Sequence, residues 1–394
     1  MSDAAGLYVH IPFCLTRCGY CDFNTYAGLD HLSNRYVEAL HREAELWATE
    51  WQDATFVSLF LGGGTPTTLQ HEALIDLLNH LRSTFRFEPD AEITSEANPD
   101  TVDEPYLARI RTGGVARLSM GVQSFDPMVL EALERIHSPE SARKAFAAAR
   151  RAGFEDVNLD LIYGANGESI DSWKRTLEQA IALAPEHLSC YALTIEPATP
   201  LGRKVAAGLT PPPDPDLQAD MYDVACELLS EASFEHYEVS NWARPGHRCR
   251  HNLGYWEGRP YLGLGAGAHS YRDGRRWWNV RPPQQYLAMV TAGGRPVGGE
   301  ETLTDGERKT ERLLLGLRTA AGIPADWVQE GRVDGFVAHG LAERRDGRLI
   351  LTDRGFLLAN EILLAFDTDF RGPRDPLGQP SALRQGRPGS WKSV

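Results

Sequence analysis

Short apolar segments alternate with amphipathic segments from residue 7 to about residue 233, and this alternation limits the folds open to the chain more than any other feature. Because the amphipathic stretches carry apolar residues three and four apart, they are predicted helices. Strands that alternate with helices predict an α/β fold with a parallel sheet, either curled toward a barrel or open and doubly wound. In both folds ligands bind at the carboxyl ends of the strands. The predicted strands are 7–13, 55–61, 91–96, 117–123, 156–163 and 187–195.

The chain changes character twice after this alternating half. A predicted helix at 217–230 ends the alternation, and the connecting segment that follows is rich in Gly, Trp and Tyr. The next region predicts three helices, a hairpin that turns at Asp346-Gly347 and a final helix, an order typical of a winged-helix-like α+β domain. The tail has too few apolar residues to pack and is expected to be disordered. The three helices are predicted at 307–318, 325–330 and 334–339, and the predicted regions are 1–233, 234–304, 305–367 and 368–394.

The charge of the chain argues against a nucleic-acid partner. Lys and Arg number 40 against 54 Asp and Glu, and the net charge of −14 repels polyanions. A winged helix that reads DNA needs a basic recognition helix, but the predicted helix 334–339 contains no Lys or Arg. The arginines Arg344, Arg345 and Arg348 lie on the predicted wing instead. We therefore expect the C-terminal region to cover the mouth of the barrel or to contact a protein partner.

Neither a membrane segment nor a secretory signal is predicted from the sequence. Uninterrupted apolar runs stay well short of the roughly 18 residues that a membrane-spanning helix needs. The start, Met1-Ser2-Asp3, is acidic and lacks the basic and apolar regions of a signal peptide. The sequence therefore predicts a soluble, cytoplasmic protein.

Three cysteines, Cys14, Cys18 and Cys21, follow the first predicted strand with the spacing C-x3-C-x2-C. A loop with thiolates at these offsets can hold three irons of a 4Fe-4S cluster and leave the fourth iron open to another ligand. Structural zinc is an alternative, but it needs a fourth ligand, and His10 lies back along the strand. Disulfides fit less well, because one thiol is left over and a cytosol keeps thiols reduced. Three buried free cysteines are a further alternative, which the polar loop around Arg17 disfavours.

This cysteine pattern after a first strand resembles the radical S-adenosylmethionine (SAM) superfamily. More narrowly, Tyr8-Val9-His10-Ile11-Pro12-Phe13-Cys14 resembles the oxygen-independent coproporphyrinogen III oxidase family, and the resemblance runs from about residue 7 to residue 366. It implies a partial (βα)6 TIM-like barrel with a 4Fe-4S cluster on the three cysteines. In the superfamily the open iron chelates SAM, and one electron from the cluster cleaves the sulfonium to give a 5′-deoxyadenosyl radical.

Several polar residues at predicted strand ends fit a SAM pocket. The run Gly62-Gly63-Gly64-Thr65-Pro66 ends the second strand and lets backbone groups approach a ligand closely. Glu96 ends the third strand, where a carboxylate can accept from ribose hydroxyls or hold an ammonium group. Asp160 is flanked by Leu and Ile residues, which favours a ligand role over a costly burial. Whether these residues serve one SAM or two is left open. By resemblance, the SAM-contacting positions are Tyr8, Tyr20, Gly63, Gly64, Thr65, Glu96, Gln123, Arg135 and Asp160.

Two features separate an oxidase from a haem carrier within this family. The family's oxidases, of the HemN type, carry a further cysteine two positions after the third and an arm before the motif, whereas this chain has Phe23 and reaches Cys14 almost at once. The string His251-Asn252-Leu253-Gly254-Tyr255-Trp256 resembles the H-N-x-x-Y-W mark of the family's haem chaperones, the HemW type. We therefore expect a haem chaperone. The alternative is an oxygen-independent coproporphyrinogen III oxidase, an enzyme that decarboxylates coproporphyrinogen III oxidatively.

His251 is the predicted axial ligand of haem iron, because imidazole commonly ligates haem. Cys249 and His247 are alternative ligands, and Arg248 and Arg250 are candidates for pairing with the haem propionates. Cys190 and Cys226 are predicted to pack in the core. The expected partners are haem, haem-accepting proteins that include transient membrane-protein acceptors, and an electron donor. Flat apolar surface for the porphyrin is expected from Tyr255, Trp256, Trp242 and Tyr261.

Overall fold

The structure is a computed structural model that describes residues 4–328 and 330–366. The acidic start Met1-Ser2-Asp3 and the tail 368–394, which is expected to be disordered, lie outside the described residues. In chain order the strands are β1 (Ala4–Ile11), β2 (Phe13–Cys14), β3 (Tyr26–Ala27), β4 (Thr55–Gly63), β5 (Phe87–Ala97), β6 (Arg117–Gln123), β7 (Asp156–Tyr163), β8 (His187–Ala192), β9 (Glu235–Glu238), β10 (Asn241–Ala243), β11 (Tyr261–Leu264), β12 (His269–Arg272), β13 (Arg275–Asn279), β14 (Val297–Thr302), β15 (Ile323–Pro324), β16 (Ala342–Arg345) and β17 (Arg348–Leu351).

The helices lie between these strands and after them. Short 3-10 turns occur at Asp30–Leu32, Pro66–Thr68, Pro99–Thr101 and Ala325–Trp327. Among the helices of the described residues, none combines the length and the apolar character that crossing a membrane requires. The helices are α1 (Ser33–Ala48), α2 (His71–Thr84), α3 (Glu104–Thr112), α4 (Pro127–Ala132), α5 (Pro139–Arg151), α6 (Ile170–Ala182), α7 (Pro200–Ala206), α8 (Pro215–Glu231), α9 (Arg250–Trp256), α10 (Pro283–Thr291), α11 (Asp305–Leu317), α12 (Glu330–Ala338), α13 (Asp353–Leu357) and α14 (Ala359–Phe366).

One twelve-stranded sheet forms the centre of the fold, in the order β14-β13-β12-β11-β1-β4-β5-β6-β7-β8-β10-β9. The strands β1, β4, β5, β6, β7 and β8 are parallel neighbours, and at least one helix connects each to the next. They are the six predicted strands, so the predicted α/β fold with a parallel sheet is confirmed. Side chains from all six strands line one cavity, because the sheet curves around it as a partial barrel.

Apolar side chains on helix faces hold this sheet in place, as α2 illustrates. Leu74, Leu77, Leu78 and Leu81 of α2 are fully buried, and their spacing places them on the face that packs against the sheet. Burial of one such leucine side chain contributes roughly 1.5–3 kcal/mol relative to an exposed position. The same spacing predicts this helix from the sequence, because the residues that define the helical pattern are the ones that are buried.

The glycine- and tryptophan-rich segment after residue 233 completes the same sheet. Strands β10 and β9 extend it antiparallel beyond β8, whereas β11 pairs parallel with β1 and leads to the antiparallel strands β12, β13 and β14. Glu43 of α1 connects this extension to the barrel. Its carboxylate accepts hydrogen bonds from Gly265 N–H at 2.7 Å, Asn279 Nδ2 at 2.6 Å and Tyr286 Oη at 2.7 Å. Burial raises the pKa of Glu43 to about 7.

The C-terminal region has a three-stranded sheet in the order β15-β17-β16, with α11, α12, α13 and α14 around it. The predicted hairpin is confirmed: Asp346 and Gly347 have φ angles of 52° and 74°, as a two-residue turn between β16 and β17 requires. The prediction of a helix at 325–330 is wrong. Ile323 and Pro324 pair with β17 and hold the chain extended, so only a 3-10 turn follows before α12 begins. The arrangement is a winged-helix-like one with a shorter second helix.

Candidate functional site

A cavity of about 1700 Å³ opens at the carboxyl ends of the parallel strands. Typical small-molecule sites occupy about 300–1,000 Å³, so this cavity has room for more than one ligand. The structure brings together there the three cysteines, the predicted SAM-contacting residues and His251, although which ligand each contacts stays a prediction. The residues are Cys14, Cys18, Cys21, Tyr8, Tyr20, Gly63, Gly64, Thr65, Glu96, Gln123, Arg135, Asp160 and His251.

The cysteine loop leaves β2 and turns back over the strand ends. The backbone N–H of Cys21 donates to the carbonyl of Cys18 at 3.1 Å, which closes a turn between them. Cys14 Sγ lies 3.7 Å from Thr65 Oγ1, and Cys21 Sγ lies 3.7 Å from Thr25 Oγ1. All three thiols line the cavity, and none of them forms a disulfide. The loop therefore offers three sulfur ligands on one side of the cavity.

The chemistry of this loop fits an iron-sulfur cluster better than a single zinc ion. Sulfurs around one zinc ion lie about 3.8 Å apart at the usual Zn–S length. Among the described residues, the group of three potential ligands whose donor atoms all lie within 4.8 Å of one another is Cys226, His236 and Asp353, outside the cavity. The loop sulfurs are thus spaced more widely than one zinc ion requires. Burial raises the pKa of Cys14 to about 11, with a smaller contribution from Cys21 and Cys18, so cluster binding must release protons.

The glycine run at the end of β4 supports the cysteine loop directly. The N–H of Gly64 donates to Ile11 O at 2.8 Å, and the N–H of Thr65 donates to Phe13 O at 2.8 Å. A Cβ atom on Gly64 would lie 2.6 Å from Phe13 O. Gly63 has a φ of 109°, and a Cβ atom there would lie 2.5 Å from the His10 ring. The glycines are therefore needed for the approach of two backbone segments as well as for a bound ligand.

Two carboxyl groups, Glu96 and Asp160, face the cavity from neighbouring parts of the sheet. Glu96 accepts from Gly63 N–H at 3.1 Å, while Asp160 accepts from Ser119 Oγ at 3.0 Å and from Asn158 Nδ2 at 2.9 Å. Burial, and next the charge of Asp160, raise the pKa of Glu96 to about 8. Burial also raises the pKa of Asp160. The pair can therefore bind hydroxyl groups or a cation, and a cation would favour the ionised forms.

The remaining predicted SAM-contacting residues are held by protein groups. His10 Nε2 faces the carbonyl of Asn24 at 3.0 Å and must donate to it, so His10 Nδ1 accepts from Tyr8 Oη at 3.0 Å. Arg135 donates from Nη2 to Gly121 O at 2.9 Å and from Nη1 to Cys18 Sγ at 3.5 Å. Burial raises the pKa of Tyr20, and the charge of Arg135 partly opposes that rise. Gln123 has a φ of 66°, which turns the end of β6 toward the cavity.

A second wall of the cavity comes from α9, the helix that carries the H-N-x-x-Y-W string. Glu92 accepts the backbone N–H groups of Arg250 at 2.9 Å and His251 at 3.1 Å, and so satisfies the start of this helix. His251 is 3% exposed, and burial lowers its pKa to about 3. Its Nδ1 lies 2.9 Å from Ser58 Oγ, and its Nε2 lies 2.8 Å from Tyr255 Oη. The imidazole is therefore neutral and hydrogen-bonded on both sides.

The other residues named for the haem do not all reach the cavity. Tyr255, Trp256 and Tyr261 line it, whereas Trp242 stacks on His236 with ring centroids 4.2 Å apart. Neither of the alternative iron ligands lines the cavity. Cys249 is fully buried with its thiol 3.5 Å from Glu92 Oε1, and His247 Nδ1 pairs with Asp156 Oδ2 at 3.2 Å.

The expectation that Arg248 and Arg250 pair with propionates is not supported by their positions. Arg248 pairs with Glu235 at 2.9 Å, and Arg250 pairs with Glu88 at 3.1 Å and with Asp90 at 3.3 Å. Their guanidinium groups are thus already neutralised by carboxylates outside the cavity. The H-N-x-x-Y-W string turns the side chains of His251 and Tyr255 inward and those two arginines away from the site.

Two arginines and a histidine that line the cavity stand in no recognisable motif. His269 of β12 lies there, and burial lowers its pKa to about 4. Arg281 and Arg312 also line the cavity, and neither guanidinium has a carboxylate partner among the side chains that the structure describes. These three residues come from the antiparallel extension and from α11, where no motif marks them. Only the pairing of distant strands brings them to the site.

Comparisons with known proteins agree on the superfamily. The family profile described as the radical SAM superfamily matches residues 8–180. A relative from Mycobacterium tuberculosis, curated as heme chaperone HemW, is 44% identical over 364 residues, which cover 91% of this chain and 93% of the relative. A Bacillus subtilis relative with the same curated name is 34% identical over 371 residues, which cover 91% of this chain and 98% of the relative.

A solved structure gives the same fold over most of the chain. Coproporphyrinogen III oxidase (HemN) from Escherichia coli, described as a radical SAM enzyme, matches with a TM-score of 0.81 and 26% sequence identity. The match covers 93% of this chain and 91% of that chain. The sequence is thus similar to proteins curated as heme chaperones, while the architecture is shared with an oxidase.

Proposed function

This chain belongs to the HemW family within the radical SAM superfamily, and on that premise we propose that it is a haem chaperone, which binds haem and passes it to haem-accepting proteins. Membership of the superfamily implies a 4Fe-4S cluster and SAM as cofactors. The proposed electron donor and haem acceptors are proteins of the same compartment. We propose the cytosol, because a reducing compartment keeps the three loop thiols free for iron.

The observation that carries this proposal is that one cavity joins the cysteine loop to the wall formed by α9. Cys14, Cys18 and Cys21 lie on one side of it, and His251 and Tyr255 lie on another. Because its volume of about 1700 Å³ exceeds that of most single-ligand sites, it has room for SAM and a porphyrin together. Binding of one ligand can then alter the free energy of binding of the other through shared walls.

The cluster, once bound and reduced, supplies the electron that cleaves SAM. This chain's residues would hold the two cofactors in register: the three cysteines ligate iron, and Arg135 donates to the Cys18 sulfur. Glu96 and Asp160 would accept hydrogen bonds from the amino or hydroxyl groups of SAM, and the Gly63 N–H already donates to Glu96. Tyr8 and Gln123 complete the polar surface, and the surrounding strands exclude bulk water.

Haem would occupy the part of the cavity bounded by α9 and the antiparallel extension. Tyr255, Trp256 and Tyr261 offer flat aromatic surface there, and the segment that contains His251 supplies the axial ligand. Arg281 and Arg312, which have no carboxylate partner among the described side chains, would pair with the two haem propionates, since planar guanidinium groups bind carboxylates well.

The oxidase alternative is disfavoured at the same site. Phe23 lines the cavity at the position where the family's oxidases carry a further cysteine, and a phenyl ring cannot act as a thiol. Nucleic-acid binding is disfavoured by the proposed wing. Arg344 pairs with Asp334 at 2.9 Å, and Arg348 donates from Nη2 to Gly322 O at 2.6 Å, so both guanidinium groups are engaged within the protein.

Two assays on one anaerobic preparation test the proposed function. Ferric haem titrated into the reconstituted protein should produce a saturable Soret shift, and excess apomyoglobin, a stand-in acceptor, should then take the haem up. The same preparation with SAM, reductant and coproporphyrinogen III should form no protoporphyrinogen IX. Steady formation of protoporphyrinogen IX, or the absence of saturable haem binding, would contradict the proposal.

A further inference from the structure

We propose that Tyr255, through its phenolic oxygen, is the residue that ligates haem iron, and that His251 is a positioning residue that orients this phenol. The inference rests on the proposed function, because it concerns the haem that the cavity is proposed to hold. It assigns the two side chains of the H-N-x-x-Y-W string different tasks.

Aromatic rings and the β1 backbone pack against the His251 ring. Its ring stacks on Phe60 with centroids 5.2 Å apart and on Tyr8 with centroids 6.4 Å apart. A Cβ atom on Gly6 would lie 3.2 Å from His251 Cε1, so the β1 backbone closes another side. The void beyond the ring, next to Gly6 and Ser58, measures about 10 Å³, which is too small for a ligand and barely holds one water. A porphyrin therefore cannot reach this ring from behind.

The ring nitrogens of His251 are also occupied. Nδ1 is hydrogen-bonded to Ser58 Oγ at 2.9 Å, and Nε2 is hydrogen-bonded to Tyr255 Oη at 2.8 Å. Iron would have to take the place of the Tyr255 hydroxyl to bind Nε2 at about 2 Å, the usual length of a metal–imidazole bond. That exchange would break the hydrogen bond and move a phenol that is itself held in place.

Tyr255 stands between His251 and the open part of the cavity. It lies one helical turn after His251 on α9, so the two side chains share a face of the helix. Tyr255 is partly exposed, whereas His251 is buried, and both line the cavity. The phenol ring packs edge-on against Tyr261, with centroids 4.7 Å apart and an angle of 87° between the rings. A haem that approaches α9 from the cavity meets the Tyr255 oxygen before it meets the imidazole.

Tyrosine is an established type of axial ligand for ferric haem. In the tautomer with its proton on Nδ1, His251 donates to Ser58 Oγ and accepts from the Tyr255 O–H, which aligns the phenolic oxygen. On ligation the phenolic O–H bond breaks and an Fe–O bond forms. The proton leaves to solvent and the iron remains ferric, so no electron donor is needed for loading. An anionic oxygen ligand binds ferric iron better than ferrous iron, so reduction of the haem would favour its release.

Ferric haem titration with optical and resonance Raman spectra tests this assignment on the reconstituted protein. The wild-type complex should show a tyrosinate-to-iron charge-transfer band and tyrosinate vibrations. Tyr255→Phe keeps the ring but should lose both signatures and weaken haem binding by about tenfold or more. His251→Ala should keep the tyrosinate signature with weaker binding, and His251→Gln, whose amide can still bond the phenol, should recover much of the affinity.

The control is Tyr106→Phe, which removes a phenolic hydroxyl that donates to Leu69 O at 3.0 Å outside the cavity and should leave haem binding unchanged. Iron-sulfur absorbance shows that each variant is folded. An imidazole-ligated spectrum for wild type, or equal or tighter haem binding by Tyr255→Phe, would overturn the inference while the proposed function stands. A wild-type protein that binds no haem would overturn the proposed function itself.

Discussion

Arg135 donates from Nη1 to the sulfur of Cys18 across 3.5 Å, although 117 residues separate the two in the chain. The same guanidinium donates from Nη2 to Gly121 O at 2.9 Å, so β6 and the cysteine loop share one cation. The Arg135 Nε is buried and has no hydrogen-bond partner among the described residues. The loop that carries the three cysteines thus has a positive charge in direct contact with one of its sulfurs.

Arg135→Ala should make the reduction potential of the bound cluster more negative. The substitution removes a positive charge and a hydrogen bond from Cys18 Sγ, and hydrogen bonds to charged groups contribute roughly 1.5–3 kcal/mol. Arg135→Lys keeps the positive charge, so its cluster should have a reduction potential between those of wild type and Arg135→Ala. Potentiometric titration followed by electron paramagnetic resonance measures the change. The matched control is Arg151→Ala, which removes an exposed arginine paired with Glu104 and should leave the potential unchanged. An unaltered potential in Arg135→Ala would show that this contact does not tune the cluster.

Gly64→Ala should weaken the cysteine loop. The added methyl group would lie 2.6 Å from Phe13 O, and overpacking of this kind costs roughly 1–3 kcal/mol. We expect less iron per chain after reconstitution and a lower midpoint in urea. Gly331→Ala on α12 is the control, and it should raise the urea midpoint slightly. A Cβ atom there would meet nothing within 4 Å among the described residues beyond its chain neighbours, and helix propensity favours Ala over Gly by up to about 1 kcal/mol. Equal iron content in the two variants would contradict the role given to the glycine run.

Glu96 should make the cofactor-free protein less stable as the pH rises from 5 to 7.5. Its pKa is about 8 in the folded protein against an ordinary 4.5, so over this range the folded state holds a proton that the unfolded state has released. The unfolding free energy then falls by about 1.4 kcal/mol per pH unit, or roughly 3 kcal/mol in all. Glu96→Gln removes this pH dependence. The variant should therefore have a larger free energy of unfolding than wild type at pH 7.5 but not at pH 5.

Urea unfolding of the two cofactor-free proteins at both pH values measures the Glu96 effect. Asp160 is present in wild type and in Glu96→Gln, so its own titration largely cancels in the comparison. Parallel pH profiles for the two proteins would show that Glu96 is ionised at neutral pH, which would contradict a pKa raised by burial.

Much of the barrel was predictable because short strand segments that are largely apolar alternate along the chain with amphipathic helices. The predicted strands 117–123 and 156–163 agree with β6 and β7 residue by residue. The parallel pairing of β11 with β1 was not predicted, since Tyr261-Leu262-Gly263-Leu264 is short, glycine-containing and distant in sequence from its partner. The predicted helix at 325–330 failed because pairing of Pro324 with β17 overrides local helix propensity. The region boundaries at residues 233, 304 and 367 stay a prediction.

The candidate site divides in the same way. Motif residues such as Cys14, Glu96 and His251 could be named from the sequence because each stands in a recognisable string or at a strand end. Arg281 and Arg312 could not, because isolated arginines are common and only the sheet extension and α11 bring them to the cavity. The propionate partners named from the sequence, Arg248 and Arg250, pair with carboxylates outside the cavity. They are neighbours of His251 in sequence, but sequence neighbours need not face the same site.

Arg281→Ala and Arg312→Ala should each weaken the binding of haem by about three- to tenfold, because each removes one charge-assisted pairing with a propionate. Binding of haem dimethyl ester, which lacks both carboxylates, should be the same in wild type and in both variants. The control Arg248→Ala removes an arginine that is paired with Glu235 outside the cavity and should change neither affinity. Titration with both porphyrins measures the difference. Equal losses with haem and with its ester would point to a packing effect rather than to charge.

Anaerobic reconstitution followed by separate counts of iron, acid-labile sulfide and haem decides whether this cavity holds a cluster and haem, with Cys18→Ser and Cys190→Ser measured beside wild type. We predict about four non-haem irons and four sulfides per wild-type chain, together with saturable haem. Cys18→Ser should lose the iron and sulfide, whereas Cys190→Ser, altered at a buried thiol in β8, should keep them. Zinc without sulfide in the wild-type loop, or full iron and sulfide in Cys18→Ser, would contradict the assignment of the cavity to a cluster and haem.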